Sequence, residues 1–167
     1  LVSQQDERTE PLISPNLWEK LKKVEKPERK PLPKRAAYVS GTKDRLSNFY
    51  KNLPFFFNNR KYNSGEQAYQ ATKFEYHNRL DLLHTVMKRT NPGDMKNLGK
   101  SINVSDQWVT QDRYQVASDI IWTRIQQLPQ VKRDLENTED KEIIHDTRDP
   151  VWGAGRLTDH HYDGQNI

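Results

Sequence analysis

Cysteine is absent from the 167 residues, and glycine (7) and methionine (2) are scarce. Without cysteine there is no disulfide, no thiolate metal ligand and no cysteine nucleophile. An intracellular setting, cytoplasmic or organellar, is expected on that ground. Long apolar runs are also missing: none reaches the length of a membrane span, and the first residues lack a secretory apolar stretch, so no membrane partner is expected. The glycine patterns that cradle phosphates or dinucleotides do not occur, nor does Gly-x-Ser-x-Gly. His160 and His161 stand side by side in an irregular stretch, where adjacent side chains point apart. No metal and no cofactor is expected from them.

What is present is polar. Hydrophobic residues make up 33% of the chain and charged ones 30%, with a net charge of +4. That excess suits a phosphorylated or nucleotide-like partner, and it suits ordinary solubility equally well. Residues 1–40 differ from the rest and are read as a basic, proline-rich arm or linker. Pro11, Pro15, Pro27, Pro31 and Pro33 alternate with lysines and arginines there. Within the arm, Leu17, Leu21 and Val24 mark one short amphipathic helix, and Pro27 to Arg35 reads as extended linker. Residues 16–35 are therefore a candidate contact for nucleic acid or a protein partner, with a solvated linker as the alternative. The first residue is Leu1 rather than Met, which suggests excision from a longer protein or processing.

Residues 41–167 are expected to form the folded domain, and the first strand (Ala36 to Ser40) is expected just ahead of it. Phe55-Phe56-Phe57 and Tyr62 flank an Asn58-Asn59 turn, the signature of a hairpin. Ser64 sits where a helix N-cap belongs, opening a helix to Tyr76. Leu80 to Met87 and Pro92 to Gly99 follow as helices, with Gly99 as the cap of the second. Val116 to Leu128 marks the longest helix, with Trp122 expected in the core. A short helix over Val131 to Leu135 leads to a strand at Ile143-Ile144. Asp146 to Ile167 is irregular and rich in Gly, Asp and His, a length of loop that is usually functional or disordered.

Four clusters carry chemistry. On the helix after Ser64, offsets of three, four and seven place Glu66, Tyr69, Gln70 and Lys73 on one face. An acid, a phenol, an amide and a base are a poor choice for a core stripe and a good one for a pocket wall; a salt-bridged surface is the alternative. Ser47-Asn48-Phe49 forms a polar loop ending in a ring, which read alone only turns the chain. Trp108 with Arg113, and Arg124 beyond, offer an indole and guanidinium groups able to hold phosphate or to form structural ion pairs. Asp149 precedes a Trp152-Gly153-Ala154-Gly155 turn, where backbone can approach a ligand and an indole can stack on a ring, or simply plug a loop.

Taken in order, these clusters resemble the YbiA-like or NADAR family. The resemblance runs from Leu46-Ser47-Asn48-Phe49 through Glu66-Gln67-Ala68-Tyr69-Gln70-Ala71, Lys73-Phe74, Leu98-Gly99-Lys100, Trp108 and Arg113. It ends on Asp149-Pro150-Val151-Trp152-Gly153 and Gly164-Gln165-Asn166. It implies a compact, helix-rich α+β fold with a few short strands. It also implies an N-glycoside hydrolase cleaving the ribosyl C–N bond of an ADP-ribosylated base or a ribosylaminopyrimidine phosphate of riboflavin biosynthesis. Glu66, Asp149 and Lys73 are then the catalytic candidates. Ser47, Asn48, Phe49, Tyr69, Gln70, Trp108, Arg113, Trp152, Gly153 and Asn166 are the substrate-binding ones. Many relatives carry glutamate where this chain has His145, and relatives continue past the position of Ile167 into a final helix that is expected to be missing here. Those departures, with the basic arm, keep a second reading open: a non-catalytic NADAR-like module within a larger RNA- or protein-containing assembly.

Overall fold

The computed structural model describes residues 28–167. The amphipathic segment expected at Asn16 to Val24 lies outside those residues. The described part contains strands β1 (Lys30–Pro31), β2 (Ala36–Val39), β3 (Phe55–Phe57) and β4 (Arg60–Tyr62), then helices α1 (Gly65–Tyr76), α2 (Leu80–Met87) and α3 (Pro92–Gly99). A π-helical turn over Trp108–Asp112 runs directly into α4 (Arg113–Gln127), followed by α5 (Pro129–Glu136), β5 (Glu142–His145) and β6 (His161–Tyr162). The fold is a helix-rich α+β domain in which the strands pair two by two.

The hairpin β3–β4 forms because Asn58 and Asn59 both accept left-handed backbone (φ 49° and 62°), the requirement of the tight turn whose twist matches paired strands. Phe55 and Tyr62 face each other across it, and both are buried. Ser64 caps α1, its hydroxyl accepting from the Gln67 backbone N–H at 3.1 Å. Buried Gln67 then ties α1 to the end of α2: its amide donates to the carbonyls of Val86, Met87 and Arg89 at 3.3 to 3.4 Å.

Helix α1 is the hub, packing against α2, α3 and α4. Ala68, Ala71 and Phe74 put its apolar face into a core shared with Leu83, Val86, Met95, Ile120 and Val131. The small alanines let the neighbouring helices approach closely. A second, smaller cluster of Ile144, Ala154 and Tyr162 sits under Leu32 and Leu157.

Several sequence expectations are revised. The boundary at residue 40 left β1 and β2 in the arm, yet β2 pairs in parallel with β5 and β1 pairs antiparallel with β6. Within the stretch named as a partner contact, Lys30 donates to the Gly164 carbonyl and Arg35 pairs with Glu139 and Asp140. Trp122 is 60% exposed instead of in the core, because its side of α4 lines an apolar groove of about 490 Å³ on the surface. Gly99 is the last helical residue of α3 and not a left-handed cap. It is glycine because a Cβ there would collide with the Gln70 side chain. No helix among the described residues is long and apolar enough to cross a membrane.

Candidate functional site

The Ser47–Phe49 loop lies over the start of α1. The Asn48 carbonyl accepts from the Glu66 N–H at 2.9 Å, and Gly65 is the one residue that lets the Asn48 side chain lie against the helix, since any Cβ would strike its amide oxygen. Arg124, reaching from α4, fixes this loop from below. Its guanidinium donates to the Asn48 Oδ1 (3.1 Å) and to the carbonyls of Arg45 (2.7 Å) and Ser47 (3.3 Å). Only 2% of Arg124 is exposed, and burial pulls its pKa down to about 10.

Glu66 projects from the first turn of α1, where the helix dipole favours an anion. Burial outweighs that help. The side chain is 8% exposed, and desolvation raises its pKa above the ordinary 4.5 against the Gln70 hydrogen bond and the charges of Lys96 and Lys73. Asp149 stands near enough to push it further in the same direction. Gln70 Nε2 donates to Glu66 Oε1 at 2.8 Å, while Gln70 Oε1, packed on Gly99, is buried without a partner among the described residues. Lys73, two turns along from Glu66, donates to the Gly99 carbonyl at 2.5 Å, capping the end of α3, and burial lowers its pKa.

Asp149 is held differently. Partial burial disfavours its charge, but Oδ1 accepts the N–H groups of Val151 and Trp152, each at 3.0 Å, and Oδ2 meets Lys96 Nζ at 3.2 Å. Those partners win, and its pKa falls below the usual carboxylate range. The turn so formed carries Trp152 against Tyr69, with ring centroids 5.8 Å apart and edge-on, and against Tyr114 at 5.5 Å. Arg113 lies over both Tyr114 (4.7 Å) and Trp152 (5.7 Å). Behind Tyr69, Trp108 is 2% exposed and packs with Tyr76 and His77. Among the described residues no three His, Asp or Glu side chains gather as metal ligands would.

Helix α1 thus meets the Asn48 loop at Glu66 and the Asp149 turn at Tyr69. The NADAR domain family model matches residues 37–167, the greater part of the chain. The chain belongs to the NADAR family. A search of curated proteins finds no match. Among solved structures, the NMR structure of the Escherichia coli protein YbiA is similar, with a TM-score of 0.59 and 20% identity over 72% of this chain and 73% of that one. At that identity the likeness concerns the fold.

Within this NADAR domain, Glu66, Tyr69, Gln70, Asp149 and Trp152 come together, and Lys73 is close enough to act on the charge of Glu66. Other candidates are occupied by structural work. Ser47 is buried, its hydroxyl accepting from the Phe49 N–H. Trp108 supports Tyr69 from within the core. Gly153 is glycine because a Cβ would meet Thr147. Asn166 bonds β5 at both ends of its amide, accepting from the His145 N–H and donating to the Ile143 carbonyl. The His145 ring contacts the Trp152 carbonyl at 2.9 Å, so it braces the same turn. Lys96 has one signal in the sequence: Pro92, Lys96 and Gly99, at offsets of four and three, share a face of α3, and Gly99 meets Gln70 of α1. Arg124, open in sequence to phosphate or an ion pair, clamps the Asn48 loop instead.

Proposed function

We propose that this NADAR domain hydrolyses an N-glycosidic bond between ribose and a base, in an ADP-ribosylated base or a ribosylaminopyrimidine phosphate. The observation that carries the reading is the pair Glu66 and Asp149: two neighbouring carboxylates whose surroundings move their pKa values in opposite directions. Such separation is how one site assigns a proton-exchanging group and a permanent charge. Glu66, raised by burial, takes the proton of an attacking water. Asp149, held ionised, stabilises the positive charge that builds on the sugar as the C–N bond lengthens. Water adds its oxygen to the anomeric carbon, the C–N electron pair leaves with the base, and the water proton passes through Glu66 to the departing nitrogen. Tyr69 and Trp152 offer ring surface to the base or sugar, Arg113 offers charge to a phosphate, and Lys73 contributes to the field around Glu66.

A binding module without turnover is the second reading. It is favoured by the 8% exposure of Glu66 and by its absence from the walls of the 490 Å³ groove, to which Asn48 and Trp152 contribute. Incubation with DNA carrying ADP-ribosylated guanosine and, separately, with ribosylaminopyrimidine phosphates separates the two. The hydrolase releases base and sugar from one of them, and Glu66→Gln abolishes that release while ligand is still bound. Binding without release, unchanged in Glu66→Gln, selects the module.

A further inference from the structure

The geometry points to Lys96 as a positioning residue of this site: one ammonium that links α3 to the Asp149 turn and the Phe49 ring and faces Glu66, while Lys73 serves the end of α3. Lys96 Nζ lies 3.2 Å from Asp149 Oδ2 and 6.0 Å from the centroid of the Phe49 ring. These two contacts belong to separate stretches of chain, and the Lys96 charge also reaches Glu66 on a third. The effect passes on through Asp149, whose other oxygen holds the N–H groups of Val151 and Trp152. Releasing Lys96 therefore loosens the carboxylate that sets the Trp152 ring against Tyr69.

Lys73 cannot substitute. Its ammonium is committed to the Gly99 carbonyl, an orphan acceptor at a helix end, and no ion pair joins it to Asp149 among the described residues. Two nearby carboxylates repel, and a cation whose charge reaches both lowers the cost of ionising them. Glu66 is faced by Lys96 from α3, Lys73 and Tyr69 from α1, and Asp149 from the turn. Asp149 pairs with Lys96, and its charge is felt by both Glu66 and Tyr69, the latter also under the charge of Arg113. Lys96 is the cation common to both carboxylates. The consequence for catalysis rests on the hydrolase reading; the consequence for the carboxylates does not.

Carboxyl carbon NMR of the full chain, titrated in wild type, Lys96→Met, Lys96→Arg and Lys73→Met, tests this. Lys96→Met is expected to raise the midpoints of both Glu66 and Asp149 and to shift the Trp152 indole resonance, and Lys96→Arg to restore all three. Lys73→Met is expected to move Glu66 and leave Asp149 in place. Unchanged midpoints in Lys96→Met, or an Asp149 shift in Lys73→Met as large as in Lys96→Met, would overturn the assignment. If circular dichroism finds Lys96→Met unfolded, Lys96→Gln is read in its place. With a substrate that turns over, Lys96→Met is expected to lower kcat/KM about a hundredfold, the scale of a misplaced reacting group, and Lys96→Arg to recover most of it. A protein that turns over neither substrate yet shows both midpoint shifts refutes the hydrolase reading and upholds Lys96 as the shared counter-ion.

Discussion

Glu66 feels the charge of Asp149, and their surroundings move the two carboxyls in opposite directions. Desolvation raises the pKa of Glu66, so folding favours its protonated form. The associated stability is complete below the unfolded value, ordinarily 4.5, and is lost as pH rises through the folded one. Glu66→Gln therefore makes the protein more stable than wild type at pH 7, with the difference vanishing in acid. Urea denaturation at the two pH values measures it, and a variant less stable at pH 7 would show that Glu66 is ionised at no cost. Asp149, held low by the N–H groups and Lys96, carries the reverse sign: its stability is present above the unfolded value and lost as pH falls through the folded one. Under the proposed hydrolysis the acid limb of the rate profile is assigned to Glu66 and is expected above the ordinary glutamate value of 4.5. A limb at or below that value would mean that burial does not govern the reacting carboxyl.

At the scale of elements, the site depends on close approach. Gly65→Ala drives a methyl into the Asn48 side chain and lifts the loop from α1. A loss of about 1–3 kcal/mol, typical of an overpacked contact, is expected in denaturant unfolding. Arg124→Met leaves the Arg45 carbonyl and the Asn48 Oδ1 without their buried donor and is expected to cost about 3 kcal/mol. Removing the more exposed Arg45–Asp134 pair is expected to cost less, since water competes for both groups. These elements were legible to different degrees. The hairpin and α1 were plain in the sequence, because Asn58-Asn59 and Ser64 act through local backbone chemistry. Trp122 and Gly99 depart from expectation, because their places depend on which neighbour packs against them. A tryptophan in an amphipathic helix reads as core until the groove beside it is known, and a glycine at a helix end reads as a cap until Gln70 is found against it. The π-helical turn ahead of α4 had no sequence signal at all.

For the molecule as a whole, the family could be recognised from the order of its motifs, while the division of labour within the site could not. Glu66, Tyr69, Asp149 and Trp152 stand out in the sequence through an unusual polar helix face and an acid before a Trp-Gly turn, and the structure packs the Tyr69 and Trp152 rings together. Ser47, Trp108 and Asn166 carry the same motifs, and the scaffold contacts of their polar and aromatic groups are visible only in three dimensions. The folded unit also begins earlier than composition suggests, since β1 and β2 come from the basic stretch. Removing residues 1–40 is therefore expected to lower the melting temperature relative to removing residues 1–27, by the loss of the β2–β5 and β1–β6 pairs. Equal melting temperatures would show that those pairs contribute nothing. Hydrolysis through Glu66 is tested most directly by the initial rate of sugar release, wild type against Glu66→Gln, on whichever ribosylated substrate turns over. Release by wild type is expected, with a rate at least about a hundredfold lower in the variant. No release from either substrate, or equal rates from the two proteins, would contradict it.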